Sequence, residues 1–160
     1  MAQDPSNPII APYGKIAPAP NAAMQPDPKL DYRVVFSISK APPAPDKPNS
    51  SLERVARFVN LLAAGGVKPE NRHIIAVVHG PATELVLHHS AFRAKHKIDN
   101  PNLALIEALG RAGVEVHICA QALAGQKIRS SDVSPLVVTD LSALTTLTTL
   151  QLKGWSVMTD

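Results

Sequence analysis

Hydrophobic positions follow two alternating rhythms from residue 32 onward. Tyr32 to Ile38, YRVVFSI, is rich in β-branched and aromatic residues and lies between proline-rich stretches, which predicts a strand. Leu52, Val55, Val59 and Leu62 then recur at helical spacing until Gly65-Gly66, behind a capping-box pattern of Ser50 and Glu53. HIIAVV (73–78) is a continuous apolar run, as expected of a strand covered on both faces. His79-Gly80-Pro81 turns the chain, and Thr83 to about Lys95 reads as helix. Asn100-Pro101 supplies an N-cap and a first-turn proline for a helix that buries Leu103, Leu105, Ile106 and Leu109 and stops at Gly110 and Gly113. Val114 to Cys119 is the next strand, followed by a short helix from about Gln121 and a brief strand from Pro135 to Val138. Asp140 is expected to cap a last helix carrying Leu141, Leu144 and Leu147, although TTLTTL within it also suits a strand. Gly154 precedes a terminal strand, Trp155 to Met158.

Strands that alternate with helices imply right-handed crossovers. The expected architecture is a three-layer α/β/α domain over residues 31–160, with a mainly parallel sheet of about five strands. Residues 1–30 differ in kind. Eleven of the fifteen prolines fall in residues 1–48, which blocks helix and removes ladder donors. An extended arm is predicted for 1–30, either a disordered tail or a segment lying across a neighbouring subunit. The start, Met1-Ala2-Gln3-Asp4-Pro5, has the look of an exported protein after signal removal, which suggests the periplasm, with the cytoplasm as the alternative.

Composition narrows the function classes. Apolar residues make up 45% and aromatics 4%, and no window approaches the roughly 20 apolar residues of a spanning helix, so membrane insertion is not expected. The net charge of +3 is small and scattered, without the basic stripe or aromatic platforms of a nucleic-acid binder. Neither a G-x-G-x-x-G nor a Walker-type phosphate loop occurs.

The candidate chemistry centres on Cys119, the only cysteine. A lone thiol rules out an intrachain disulfide and any zinc site built from several cysteines. In open parallel sheets, ligands bind outside the carboxyl ends of the strands. His79 and Cys119 end two predicted strands; if these are neighbours, their ends lie roughly 5 Å apart. Strand alternation places Glu115, His117 and Cys119 on one face. A helix starting just after Cys119 would aim free N–H groups at the sulfur and favour the thiolate. The expectation is an uncovered, acidified sulfur at the rim; the bland alternative is a small core residue. His79 would contact the thiolate or a substrate, with Gly80, His117 and Gln121 as further binding residues. His88, His89 and His96 have gaps of one, seven and eight, unlike the i, i+4 pairs that bind metal on a helix, so no metal is expected. Arg93, Lys95 and Lys97 form a solvated basic face or draw an anionic donor, and Ser50, Asn100 and Asp140 read as caps.

The element order resembles the DsrE/DsrF-like family of small sulfur-relay proteins. The resemblance rests on VVHGPA (77–82), NPNLALIEALGRAGVEVHICAQAL (100–123) and LQLKGW (150–155), and covers about residues 31–158. It implies a parallel-sheet fold that assembles into trimers, hexamers or related rings. It also implies a cysteine, matched by Cys119, that carries sulfane sulfur as a persulfide and passes it to a partner thiol, with no cofactor. Whether that makes the chain an enzyme of sulfurtransferase type stays open. The alternative is a non-catalytic oligomeric binding or scaffold module with a structural Cys119. Two departures stand out: Ala122 occupies a position where the family often has a hydroxyl, and without a second cysteine the donor or acceptor must be another protein or a small thiol.

Overall fold

The structure, a computed structural model, describes residues 9–160. The processed-looking start, Met1 to Pro5, lies outside the described residues. Five strands form one sheet: β1 (Tyr32–Ile38), β2 (Arg72–Val78), β3 (Val114–Cys119), β4 (Val138–Asp140) and β5 (Ser156–Thr159). Their order is β4-β3-β2-β1-β5, and every pairing is parallel. All carboxyl ends therefore meet at one rim. The helices are α1 (Ser50–Ala64), α2 (His89–His96), α3 (Leu103–Arg111), α4 (Ala120–Gly125) and α5 (Ala143–Leu152).

The sheet separates two cores. On one face, Val34, Phe36, Ile38, Ile74, Val116 and Ile118 pack under α1 and α3, whose Leu52, Val55, Leu105 and Leu109 are fully enclosed. On the other, Val35, Val77, Cys119 and Ala143 form a smaller cluster beneath α5, edged by the half-buried Leu147, Leu150 and Trp155. The predicted three layers are present.

Several local expectations need correction. Asn49, not Ser50, caps α1: its side chain accepts from Ser51 N at 2.9 Å and Leu52 N at 3.2 Å. The helix expected from Thr83 to Lys95 is a 3₁₀ segment, Gly80–Val86, followed by α2, because the chain must first cross the end of the sheet. Asn102, not Asn100, is the N-cap residue of α3; Asn100 Oδ1 accepts from Asn102 N at 2.9 Å, one step before the helix. The buried Asn100 amide bridges Leu85 O (2.9 Å) and Leu87 O (2.7 Å), tying the α2 approach to α3. The strand expected at 135–138 begins at Val138, and Ser142, not Asp140, caps α5. The leucine stripe expected to bury α5 mostly faces outward, with Leu141 70% and Leu144 80% exposed.

Residues 9–30 carry no helix or strand, and their first part docks on the chain's own α1. Ile10 is buried in the α1–α3 core. The Asn60 side chain accepts from Ile10 N (3.1 Å) and donates to Tyr13 O (3.1 Å) and Gly14 O (2.9 Å). Gly14 N donates to a Glu53 carboxylate oxygen at 2.8 Å. Gly14 has φ +63°, and a Cβ there would lie 2.4 Å from Arg57 N and 2.5 Å from the Ala56 carbonyl carbon, so only glycine fits the approach.

Candidate functional site at the carboxyl rim

The rim is assembled by register. β2 and β3 are neighbours, with Val77 opposite His117 and Val78 opposite Ile118, so His79 and Cys119 follow side by side. Cys119 pairs in turn with Asp140 on β4. On the α5 face, alternation places Ser37, Val77 and His117 in one row, with His79 and Cys119 in the row nearer the rim. Sequence reasoning thus anticipated the shared face of Glu115, His117 and Cys119, and left the adjacency of His79 and Cys119 conditional on a strand order that the β2–β3 register supplies.

Exposure of the sulfur was not anticipated correctly. Cys119 is a free thiol at the rim, but it is only 4% exposed and belongs to the apolar cluster with Val35, Val77 and Ala143. It occupies the N-cap position of α4, yet its side chain takes no capping hydrogen bond. The helix is six residues long. The expected acidification by the backbone therefore has no direct contact behind it. A cavity of about 210 Å³ does open at this rim, between the proline loops after β1 and β2, but its walls are Pro42, Pro43, Pro45, Pro81, Phe92 and His96 rather than Cys119.

His79 is partly exposed, and its Nε2 lies 2.8 Å from Ser37 Oγ. Burial pushes the imidazole below its ordinary range, and the nearby Asp160 carboxylate opposes this only in part. Gly80 turns the chain with φ +55°, and its carbonyl accepts from Thr83 Oγ1 at 2.7 Å and Gln126 Nε2 at 2.8 Å. Gln121 is exposed and donates to Leu141 O at 3.2 Å. His117 is held by carboxylates: Nδ1 lies 2.8 Å from Asp140 Oδ2 and Nε2 lies 3.1 Å from Glu115 Oε2.

Asp160 completes the rim beside β1. Burial alone would raise its carboxyl, but donation from Lys40 N, Ser39 Oγ, Ser39 N and Ser51 Oγ outweighs that and holds it at about 2. Neither Asp140 nor Asp160 was singled out for such a role from sequence. A lone acid after a short strand carries no signal of its own, because its partners depend on strand order.

The other histidines have local duties. His88 Nδ1 accepts from Ala91 N at 3.0 Å, capping α2, and His89 Nδ1 accepts from Asn100 N at 3.2 Å. His96 meets Glu84 at 2.7 Å, and Lys95 pairs with the same carboxylate. Arg93 pairs with Asp99, so two of the three cations expected on a basic face are already matched.

Compared with protein families, residues 33–159 match the model described as the DsrE/DsrF-like family. The chain belongs to that family. Members are generally linked to sulfur relay. Two solved structures share the fold. One is described as a protein of unknown function, MTH1491, from Methanobacterium thermoautotrophicum: 20% identity, 81% of this chain and 100% of that chain covered, TM-score 0.58. The other is the ychN protein from E. coli: 20% identity, 81% and 99% covered, TM-score 0.57. No functionally curated protein matches the chain. Among the described residues, no helix is long and apolar enough to cross a membrane.

Proposed function

We propose that this DsrE/DsrF-like protein is a sulfur carrier that uses Cys119 as its acceptor. The observation that carries the reading is the position of the lone thiol: it ends β3 at the rim where parallel sheets bind ligands, one strand from His79. Its thiolate attacks the outer sulfur of a sulfane donor such as thiosulfate, forming the S–S bond of a persulfide and releasing sulfite. A partner thiolate then attacks the terminal sulfur of that persulfide and takes it, with Cys119 leaving as thiolate. No net oxidant is needed. His79, whose proton affinity burial reduces, stands where it can accept a proton from an incoming thiol.

The carrier is an oligomer in this reading, and a second copy of the chain is the partner suited to α5. Its sequence, ALTTLTTLQL, has no charged residue, and Leu144 and Leu152 are 80% and 85% exposed. An uncharged patch offers no complementarity to a charged partner, but it is complementary to itself. A trimer or hexamer fits the family resemblance.

A second reading has one observation in its favour. The 4% exposure of Cys119 suits a structural thiol in a binding or scaffold module. Intact-mass analysis after incubation with thiosulfate or polysulfide separates the two. The carrier gains one sulfur atom, and Cys119→Ser gains none. A thiol that stays unmodified until the chain unfolds overturns the carrier reading and leaves the module.

A further inference from the structure

We propose that His117 and Asp140 form a latch that holds the β4–α5 corner, residues 140–143, shut beside Cys119, so that the thiol reacts only when this corner lets go. The latch concerns access to the sulfur; only its importance for sulfur transfer rests on the carrier reading above.

Apart from the β3–β4 ladder, whose last pair is Cys119 and Asp140, the corner has little else to hold it. Leu141 and Leu144 point outward, 70% and 80% exposed, so they bury almost nothing within this chain. β4 is a three-residue edge strand and Val138 within it is 48% exposed. Only Ala143 reaches the apolar cluster that contains Cys119. What fastens the corner is polar. Asp140 Oδ2 meets His117 Nδ1 at 2.8 Å and accepts from Thr146 Oγ1 at 2.8 Å, so one oxygen joins β3 to α5. Gln121, two residues after Cys119, donates to Leu141 O at 3.2 Å from the other side.

The two contacts of His117 are unequal. Its side chain is 11% exposed and that of Asp140 17%, whereas Glu115 is 65% exposed. A solvated pair contributes little, while breaking a desolvated one leaves an enclosed charge without a partner. The remaining neighbour across the sheet, Val77 on β2, is apolar. The Asp140 contact therefore decides whether the corner stays down. Because Asp140 is the β-sheet partner of Cys119, its release uncovers the flank of the sulfur directly.

The test measures alkylation of Cys119 in the full native chain by iodoacetamide, followed by intact mass at one pH. If reaction passes through local opening, its rate follows the open population. Asp140→Asn and His117→Gln are expected to raise the rate roughly ten- to a hundredfold, the range for a lost charge-assisted hydrogen bond. The milder Thr146→Val should raise it several-fold and keep the fold, and Glu115→Gln should stay within about twofold. Rates for Asp140→Asn and Thr146→Val within twofold of the parent overturn the latch, as does an equal rise in Glu115→Gln. Should Asp140→Asn not fold, hydrogen exchange in the unaltered protein decides: amides 141–146 should open well below the cost of opening β3, and exchange only through global unfolding defeats the proposal. Fast alkylation of an opened variant that still takes no sulfur from polysulfide would end the carrier reading and leave the latch standing.

Discussion

The two faces of the sheet are built to different standards. Beneath α1 and α3, β1 to β3 contribute Val34, Phe36, Ile38, Ile74, Val116 and Ile118 to a continuous core, and even the N-terminal arm adds Ile10. Beneath α5 the buried set is only Val35, Val77, Cys119 and Ala143, with Leu147 and Leu150 half-buried at its edge, while Leu144 and Leu152 look outward. Every polar side chain proposed for chemistry, His79, His117 and the Cys119 thiol itself, lies on that second, thinly covered face. Stability is concentrated on one side of the sheet, which leaves the other free to keep polar groups, a short edge strand and an unpartnered helix. Regions with few buried contacts are those that open first.

The comparison breaks most sharply by cavity. Leu109→Ala, in the α1–α3 core at 0% exposure, is expected to cost about 2–5 kcal/mol in urea unfolding. Leu144→Ala on α5 should stay within about 0.5 kcal/mol as measured on the monomer. Equal losses would mean that the faces are packed alike.

Asn60→Ala should come next, since it removes three hydrogen bonds between α1 and the arm. An unfolding cost of about 1–3 kcal/mol is expected, with faster proteolysis within residues 9–30. An unchanged cleavage rate would show that Ile10 alone secures the arm.

Paired Leu144→Asp and Leu152→Asp should leave monomer stability nearly untouched and shift the mass in light scattering to that of one chain. A parent protein already monomeric at high concentration would remove the second copy from α5.

The smallest effect is one of acidity at Asp160. Its carboxyl sits at about 2 when folded, against an ordinary 3.8. A depressed acid contributes stability that is fully present above the ordinary value and lost as pH falls toward the folded one. The urea midpoints of the parent and Asp160→Asn should differ at pH 5 and converge between about 4 and 2. A constant gap across that range would show that the four donors do not discriminate charge.

Much of the fold was legible because periodicity is local. The runs at 32–38, 73–78 and 114–119 became strands within a residue of the expected limits, and the spacing of Leu52, Val55 and Val59 became α1. The family followed from the same segments, together with the order of elements. What could not be read depends on neighbours far along the chain. Whether Leu144 is inside or outside turns on how many layers pass over α5, since a helix of leucines and threonines with no charged residue marks no clear solvent face in its own sequence. The cover over Cys119 depends on α5, which begins after it. Asp140 looked like a helix cap because Asp before an apolar run often is one; strand pairing with Cys119 gave it another task.

The fastening of the arm at Gly14 has a consequence for how this protein can be altered. Backbone there lies so close to Arg57 that there is no room for one extra carbon. Attachment at that point is steric: an alanine is expected to act as a wedge against α1, setting the docking of the leader against the hold of Ile10 and Asn60 without touching the sheet rim. One codon thus sets a strapped form of the molecule against a loosened one, and whatever the leader does in the cell can be asked of the two side by side.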